Sequence, residues 1–230
     1  MAEEPIVRQF VNFSFYRLNP EWRKLHSKVR QEGEQEFGRL MEDYSKRMII
    51  RLYSLQGIRA DCEFMIWRIS ERLEDFQEMS TKLHLTAFGQ HWKPVYSYLA
   101  MTKRSSYIDK ISPEHGESRT RVVPGKYKYI FVYPFVKTRQ WYLLSAPERQ
   151  ALMDEHIAIG TRYPSVKLNT TYSFGLDDQE FVVAFETDNP ADFLDLVMEL
   201  RHSKASGYTL RDTPTFTCVA KSLKEILDSY

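Results

Sequence analysis

Cysteine is scarce in this chain: there are two in 230 residues, Cys62 and Cys218. Two cysteines cannot build a disulfide framework. With no C-x-x-C pair, there is no signature of a structural zinc or iron–sulfur site. Each sits in a strand-like run, so both are expected as buried, reduced thiols. An excess of one charge is also missing. Lys and Arg total 32 against 31 Asp and Glu, for a net charge of +1 and a pI near 7.7. The charges are interspersed, and Lys103-Arg104 is too short to be a basic tract. A protein that works by neutralising phosphate would be basic, so no nucleic-acid partner is expected. No apolar run approaches the roughly 20 residues that a membrane-spanning helix needs. Met1-Ala2-Glu3-Glu4-Pro5 is acidic and lacks an apolar segment behind it, so no secretory signal and a cytoplasmic location are expected.

What is present is ample core-forming material and a repeat. Hydrophobic residues make up 43% and aromatic residues 14%, enough for one or two packed domains. Asp61-Cys62-Glu63-Phe64 returns as Asp178-Gln179-Glu180-Phe181, and Asp75-Phe76 as Asp192-Phe193, both at a spacing of 117 (178 − 61, 192 − 75). Tyr53-Ser54 and Gly57 return as Tyr172-Ser173 and Gly175, at 119 and 118. A shared offset over several short matches predicts two copies of one supersecondary unit. Each copy reads β-α-β-β-α-β. In the first, strands are predicted at 6–16, 48–55, 63–69 and 95–101. Asn19-Pro20 caps a helix to about residue 44, and Ser70-Glu71 opens a second. In the second, strands are predicted at 128–134, 167–174, 180–186 and 213–219, with helices at 146–162, 191–202 and 222–227. The expected class is α+β: two tandem ferredoxin-like repeats forming a dimeric α+β barrel or sandwich. The first repeat spans 1–104, a charged connecting loop 105–126, and the second repeat 127–230. A loop of that length is either a linker or a functional lid.

The candidate chemistry lies in one strand–turn–helix stretch. Tyr133 and Lys137 are four residues apart at the end of the aromatic, β-branched run Tyr129-Ile130-Phe131-Val132-Tyr133. Trp141-Tyr142 follows, and then a helical pattern on which Leu152, Met153, His156 and Ile159 share a face. The phenol can be oxidised, the ammonium can grip a carboxylate, and the imidazole can ligate a metal. From spacing alone, His156 as a ligand and His156 as a satisfied core residue both stand open. Tyr133 and Trp141 can equally be core aromatics, Lys137 a loop lysine, and Arg201 a cation answering a helix dipole.

With these pieces together, the chain resembles the chlorite dismutase superfamily over nearly its whole length, from Val11-Asn12-Phe13-Ser14-Phe15-Tyr16 to Pro214-Thr215-Phe216-Thr217. The diagnostic stretches are Tyr133-Pro134 with Lys137 and Trp141-Tyr142, then Glu155-His156, then Tyr172-Ser173-Phe174-Gly175-Leu176-Asp177-Asp178-Gln179-Glu180-Phe181, then Glu199-Leu200-Arg201. The resemblance implies two ferredoxin-like halves, with haem in the C-terminal half on His156. The arginine that chlorite dismutases hold above the iron would fall at Leu168, beside Asn169, and the glutamate behind their axial histidine near Ala205. Neither charge is present.

Tyr133-Pro134 and Lys137 instead match the coproheme decarboxylases of the superfamily. There the tyrosine forms a radical and the lysine helps hold substrate propionates. Arg201 and Ser206 match propionate contacts. Ser106 and Tyr107 are of a suitable type, Trp141 packs in the core or against the porphyrin, and Leu168 takes the distal position. Leu168 cannot accept a proton, which leaves His84 and His91 as candidates. The implied activity is the hydrogen peroxide-dependent decarboxylation of coproheme to haem b, by a homopentamer. The alternatives are a haem carrier or sensor and, third, a chlorite dismutase.

Overall fold

The computed structural model describes residues 7–105, 107 and 121–230. These fall into two compact units: residues up to Leu99 together with Cys218–Tyr230, and residues from Ala100 to Thr217. Each has an antiparallel sheet with helices packed on it, the α+β ferredoxin-like plan.

In the first unit β1 (Phe10–Leu18) pairs with β3 (Phe64–Ser70), and β3 pairs with β2 (Ile49–Ser54). With β4 (Trp92–Met101) beside β1, the order is β4-β1-β3-β2. All seven positions of β3 are buried, as befits a central strand covered on both faces. The core is aromatic: Trp22, Phe37, Phe64, Phe88 and Trp92 pack with α1 (Ser27–Ser45) and α2 (Glu74–Leu85). The helix expected from Asn19 to about residue 44 is broken. Asn19 caps a short 3₁₀ turn, Pro20–Lys24, which ends at an extended Leu25. His26 then caps α1 by accepting the N–H of Lys28 on Nδ1. Burial of Trp22 anchors the turn and makes the break possible.

The chain's end packs on this first unit, not on the second as the repeat boundary 127–230 suggests. Of β9 (Phe216–Ala220), Val219 and Ala220 pair with β2. After it, α6 (Leu223–Leu227) places Ile226 and Tyr230 in the first core. Apolar burial of these side chains decides where the segment goes. Cys62 and Cys218 are free and buried, and burial pushes the Cys62 thiol up to about 12 and that of Cys218 well above its ordinary value. Cys62 lies in the turn before β3 rather than in a strand.

In the second unit the order is β8-β5-β7-β6, the same arrangement as β4-β1-β3-β2. Its parts are β5 (Tyr129–Lys137), α3 (Arg139–Leu143), α4 (Ala146–Gly160), β6 (Lys167–Tyr172), β7 (Phe181–Thr187), α5 (Pro190–His202) and β8 (Thr209–Arg211). The sequence pattern did not anticipate α3 or β8. Both are short and owe their form to neighbours. The β6–β7 hairpin turns at Gly175, whose φ of 71° favours glycine.

The pairing registers confirm the repeat. Phe10 faces Ser70 as Tyr129 faces Thr187, so β1 and β5 are offset by 119 and β3 and β7 by 117 (129 − 10, 187 − 70). Ser54 faces Phe64 as Tyr172 faces Phe181, an offset of 118 for β2 and β6 (172 − 54). The echo of Tyr53-Ser54 in Tyr172-Ser173 is therefore one residue out of structural register. Among the described residues no helix is long and apolar enough to cross a membrane.

Candidate functional site

Tyr133 projects from β5 onto the sheet face that carries the α4–α5 side. It pairs with Val183, which also faces Thr170; one row along, Phe131, Phe185 and Leu168 face one another. Cross-strand partners in an antiparallel ladder share a face, so Tyr133 and Leu168 lie on the same one. The Tyr133 ring stacks on Phe185 with centroids 6.0 Å apart. Burial holds the phenol well above its ordinary pKa. The charge of Asp212 adds to this, while Arg201 opposes it. Tyr133 therefore stays protonated, and any oxidation of it must release a proton with the electron.

Lys137 ends β5 where the ladder with β8 shifts register between Val136 and Lys137. A bulge of this kind re-aims the side chain. The ammonium donates to the Ala205 carbonyl at 3.0 Å and lies 4.5 Å from the Trp141 ring centroid. Burial lowers its pKa to about 8, opposed by Glu180. Trp141, in α3, is buried and packs 5.6 Å from the Tyr208 ring.

His156 lies on α4, which opens with a capping box between Ser145 and Glu148. The helix is apolar on the predicted face, yet none of its residues is fully buried, unlike α1, α2 and α5. Leu152, Met153, His156 and Ile159 are half-buried. Burial, then the Lys137 charge, lowers the His156 pKa to about 4, with Glu155 opposing. The ring is thus neutral near pH 7, the form that ligates metals. No hydrogen bond to it is found among the described residues. Glu155 accepts the N–H of Lys204 at 3.3 Å, tying α4 to the 3₁₀ turn Lys204–Tyr208 that supplies the Ala205 carbonyl.

Arg201, in the last turn of α5, forms an ion pair with Asp212. A ligand carboxylate must compete with that aspartate. Ser206 directs its one hydroxyl proton at the Arg201 and Ser203 carbonyls, 2.7 and 2.8 Å away. Tyr107 lies 6.5 Å from Trp141 between ring centroids, and its carbonyl accepts from Gln150. Leu168 is 49% exposed, and Asn169 faces the other way, donating to the buried Glu186 at 2.9 Å. His84 and His91 belong to the first unit: His84 bonds to its own helix at Ser80, and His91 packs on Trp22. Ser106 lies outside the described residues. Asp212 carries no motif that marks it in the sequence. Glu180 and Tyr142 gain their roles only from the fold, although Glu180 is the repeat match of Glu63.

Among the described residues no three His, Cys, Asp or Glu side chains cluster to hold a bare ion. One neutral imidazole on a half-buried apolar helix face, with a cation and oxidisable aromatics in the same unit, suits a metal that brings most of its own ligands. Iron in a porphyrin is such a group.

A family model of chlorite dismutases matches residues 30–221. The chain belongs to the chlorite dismutase family. It is 33% identical over 192 residues to the coproheme decarboxylase of Mycolicibacterium smegmatis, covering 82% of this chain and 80% of that one. Among solved structures, chlorite dismutase from Candidatus Nitrospira defluvii in complex with imidazole superposes with a TM-score of 0.87 at 27% identity, covering 96% and 94% of the two chains. A heme-binding protein from Thermus thermophilus shares the fold, with a TM-score of 0.87 at 22% identity over 96% and 95%.

Proposed function

We propose that this protein is a peroxide-dependent coproheme decarboxylase: it converts two propionates of iron coproporphyrin to vinyl groups and releases haem b. One observation carries this reading. In the second unit a phenol is held protonated, and an ammonium lies close enough to a neutral imidazole for its charge to act there, on residues that match this branch of the family. His156 would ligate the iron, Trp141 pack near the porphyrin, and Lys137 receive a propionate. When bound, the iron porphyrin with hydrogen peroxide supplies a strong one-electron oxidant. Tyr133 then gives up an electron and its proton. Its radical takes a hydrogen atom from the propionate β-carbon and returns to the phenol. The second of the two oxidising equivalents supplied by one peroxide takes an electron from the resulting carbon radical, and CO₂ departs to leave the vinyl group. Peroxide is reduced to water. Asp212 is the carboxylate whose field acts on the Tyr133 proton. Arg201 would contribute only on leaving Asp212.

Incubating the apoprotein with iron coproporphyrin and peroxide, and following porphyrin mass, tests the reading. Two successive losses of CO₂ are expected. A stable Soret band with unchanged mass would instead mean a haem carrier or sensor. Sustained oxygen release from chlorite is not expected, because Leu168 and Asn169 place no charge where an oxyanion would sit. Vigorous release in an electrode assay would move the protein to the chlorite dismutases. The reading also carries a homopentamer and a cytoplasmic location; light scattering in solution tests the assembly.

A further inference from the structure

One carboxylate oxygen closes the segment that carries Lys137 and Trp141. Glu180 Oε2 accepts the backbone N–H of Lys137 at 2.8 Å, and the same oxygen accepts the Tyr142 hydroxyl. The Glu180 N–H in turn donates to the Phe135 carbonyl at 3.2 Å. Lys137 is the last residue of β5 and Tyr142 lies in α3, so both ends of the 137–142 segment are pinned to one atom. Between the pins, the ammonium of Lys137 sits over the Trp141 ring. The Tyr142 ring is held against Phe174, with centroids 6.0 Å apart.

The first unit shows what the clamp does without the phenol. There the Glu63 carboxylate accepts the N–H of Leu18 at 2.8 Å, and the Glu63 N–H donates to the Tyr16 carbonyl at 2.9 Å. The offset of 119 sets Trp22 against Trp141 (141 − 22) and Arg23 against Tyr142. Arg23 is exposed. The carboxylate clamp is therefore common to both copies, whereas the phenolic tie to the tryptophan-bearing turn belongs to the second.

We propose that Tyr142, acting through Glu180, is a positioning residue that fixes Lys137 on Trp141 and so sets the preference for the more carboxylated porphyrin. The proposal rests on the reading of Lys137 as a propionate grip. Neither Tyr142 nor Glu180 need touch the ligand.

Equilibrium Soret titrations without peroxide, with iron coproporphyrin and with haem b, test it on four proteins: the parent, Lys137→Ala, Tyr142→Phe and the double variant. Tyr142→Phe keeps the ring against Phe174, so folding is retained, and circular dichroism checks this. The ratio of affinities for the two porphyrins should fall about threefold to tenfold in Tyr142→Phe, the scale of one lost hydrogen bond. It should fall further in Lys137→Ala, and the double variant should match Lys137→Ala. A merely structural role would weaken both porphyrins alike and leave the ratio unchanged. An unchanged ratio in Tyr142→Phe, with a reduced one in Lys137→Ala, overturns the positioning role and leaves the Lys137 reading intact. A ratio unchanged in Lys137→Ala overturns both. A further fall in the double variant shows Tyr142 acting independently of Lys137, and also overturns the proposal.

Discussion

In the first unit the clamped residue is Leu18, and it closes an aromatic core with Trp22. In the second, the same clamp holds Lys137, and Trp141 serves as the face on which its ammonium rests. The contrast extends across the sheet. Where the second unit has Phe131, Tyr133 and Phe185, the first has Asn12, Ser14 and Arg68 at the matching offsets of 119 and 117. Arg68 is buried, donating to Asn12, Ser14 and Ser80 and lying over Phe76. The first copy has thus filled its helix-side face with a self-satisfied polar network and a dense core. The second keeps an oxidisable phenol and an ammonium on β5, and an imidazole on α4, a helix that buries none of its residues. A backbone plan can be duplicated whole while its side chains diverge. Hydrogen bonds to main chain preserve the plan, and burial or exposure of a few side chains sets the use.

The sharpest break is expected at Tyr133. Tyr133→Phe keeps the stack on Phe185, so coproheme affinity should drop by no more than the roughly 1–3 kcal/mol of one buried hydroxyl. Turnover should be abolished, as porphyrin mass after peroxide addition will report. Normal turnover would return Tyr133 to the role of a core aromatic.

The next effect separates the two units by stability. Phe64→Ala, in the first core, should cost about 3–5 kcal/mol. Leu168→Ala, on the half-exposed face of the second, should stay within about 0.5 kcal/mol. Urea unfolding measures both, and similar losses would erase the distinction between a filled and an open face.

Lys137→Ala should weaken coproheme binding by about 1.5–3 kcal/mol, the worth of a charge-assisted hydrogen bond, and weaken haem b binding less. Arg201→Ala should weaken coproheme binding less than Lys137→Ala, because Asp212 already engages that guanidinium. Spectrophotometric titrations decide the order, and a larger effect at Arg201 would relocate the main carboxylate contact.

The smallest effect is in pH dependence. The His156 pKa is lowered to about 4 by burial, from an ordinary value of 6.5. Between these values the unfolded chain takes up a proton that the native state refuses, so apoprotein stability falls as pH drops through this window. His156→Leu should flatten that slope in thermal melts at pH 4 to 6.5. An unaltered slope would mean that the ring is not held neutral by its surroundings.

Much of this was legible in the sequence. The offset of 117 in Asp61-Cys62-Glu63-Phe64 announced the repeat, and the registers of β3 and β7 reproduce it. Tyr133, Lys137, Trp141 and His156 were singled out from one short stretch, and all lie in the second unit. Less legible were features set by partners distant in sequence. Arg201 reads as a free cation at a helix end until β8 is followed by Asp212. Ser206 reads as a ligand hydroxyl until its proton is seen to cap α5. The α3 turn exists because Thr138 and Trp141 meet Tyr208, about 70 residues on.

By itself the sequence determined the α+β repeat, because alternation in strands, proline and asparagine caps and glycine turns act within a few residues of one another. It also determined which residue types capable of oxidation, ligation and carboxylate binding were available. Only the tertiary structure decided that residues 218–230 complete the first unit, since burial of Ile226 and Tyr230 depends on a core assembled from elsewhere. Only it decided that Lys137 rests on Trp141 with its backbone held by Glu180. The energies of burial, ion pairing and main-chain hydrogen bonding at such sites belong to pairs of residues, and their partners are named by the fold.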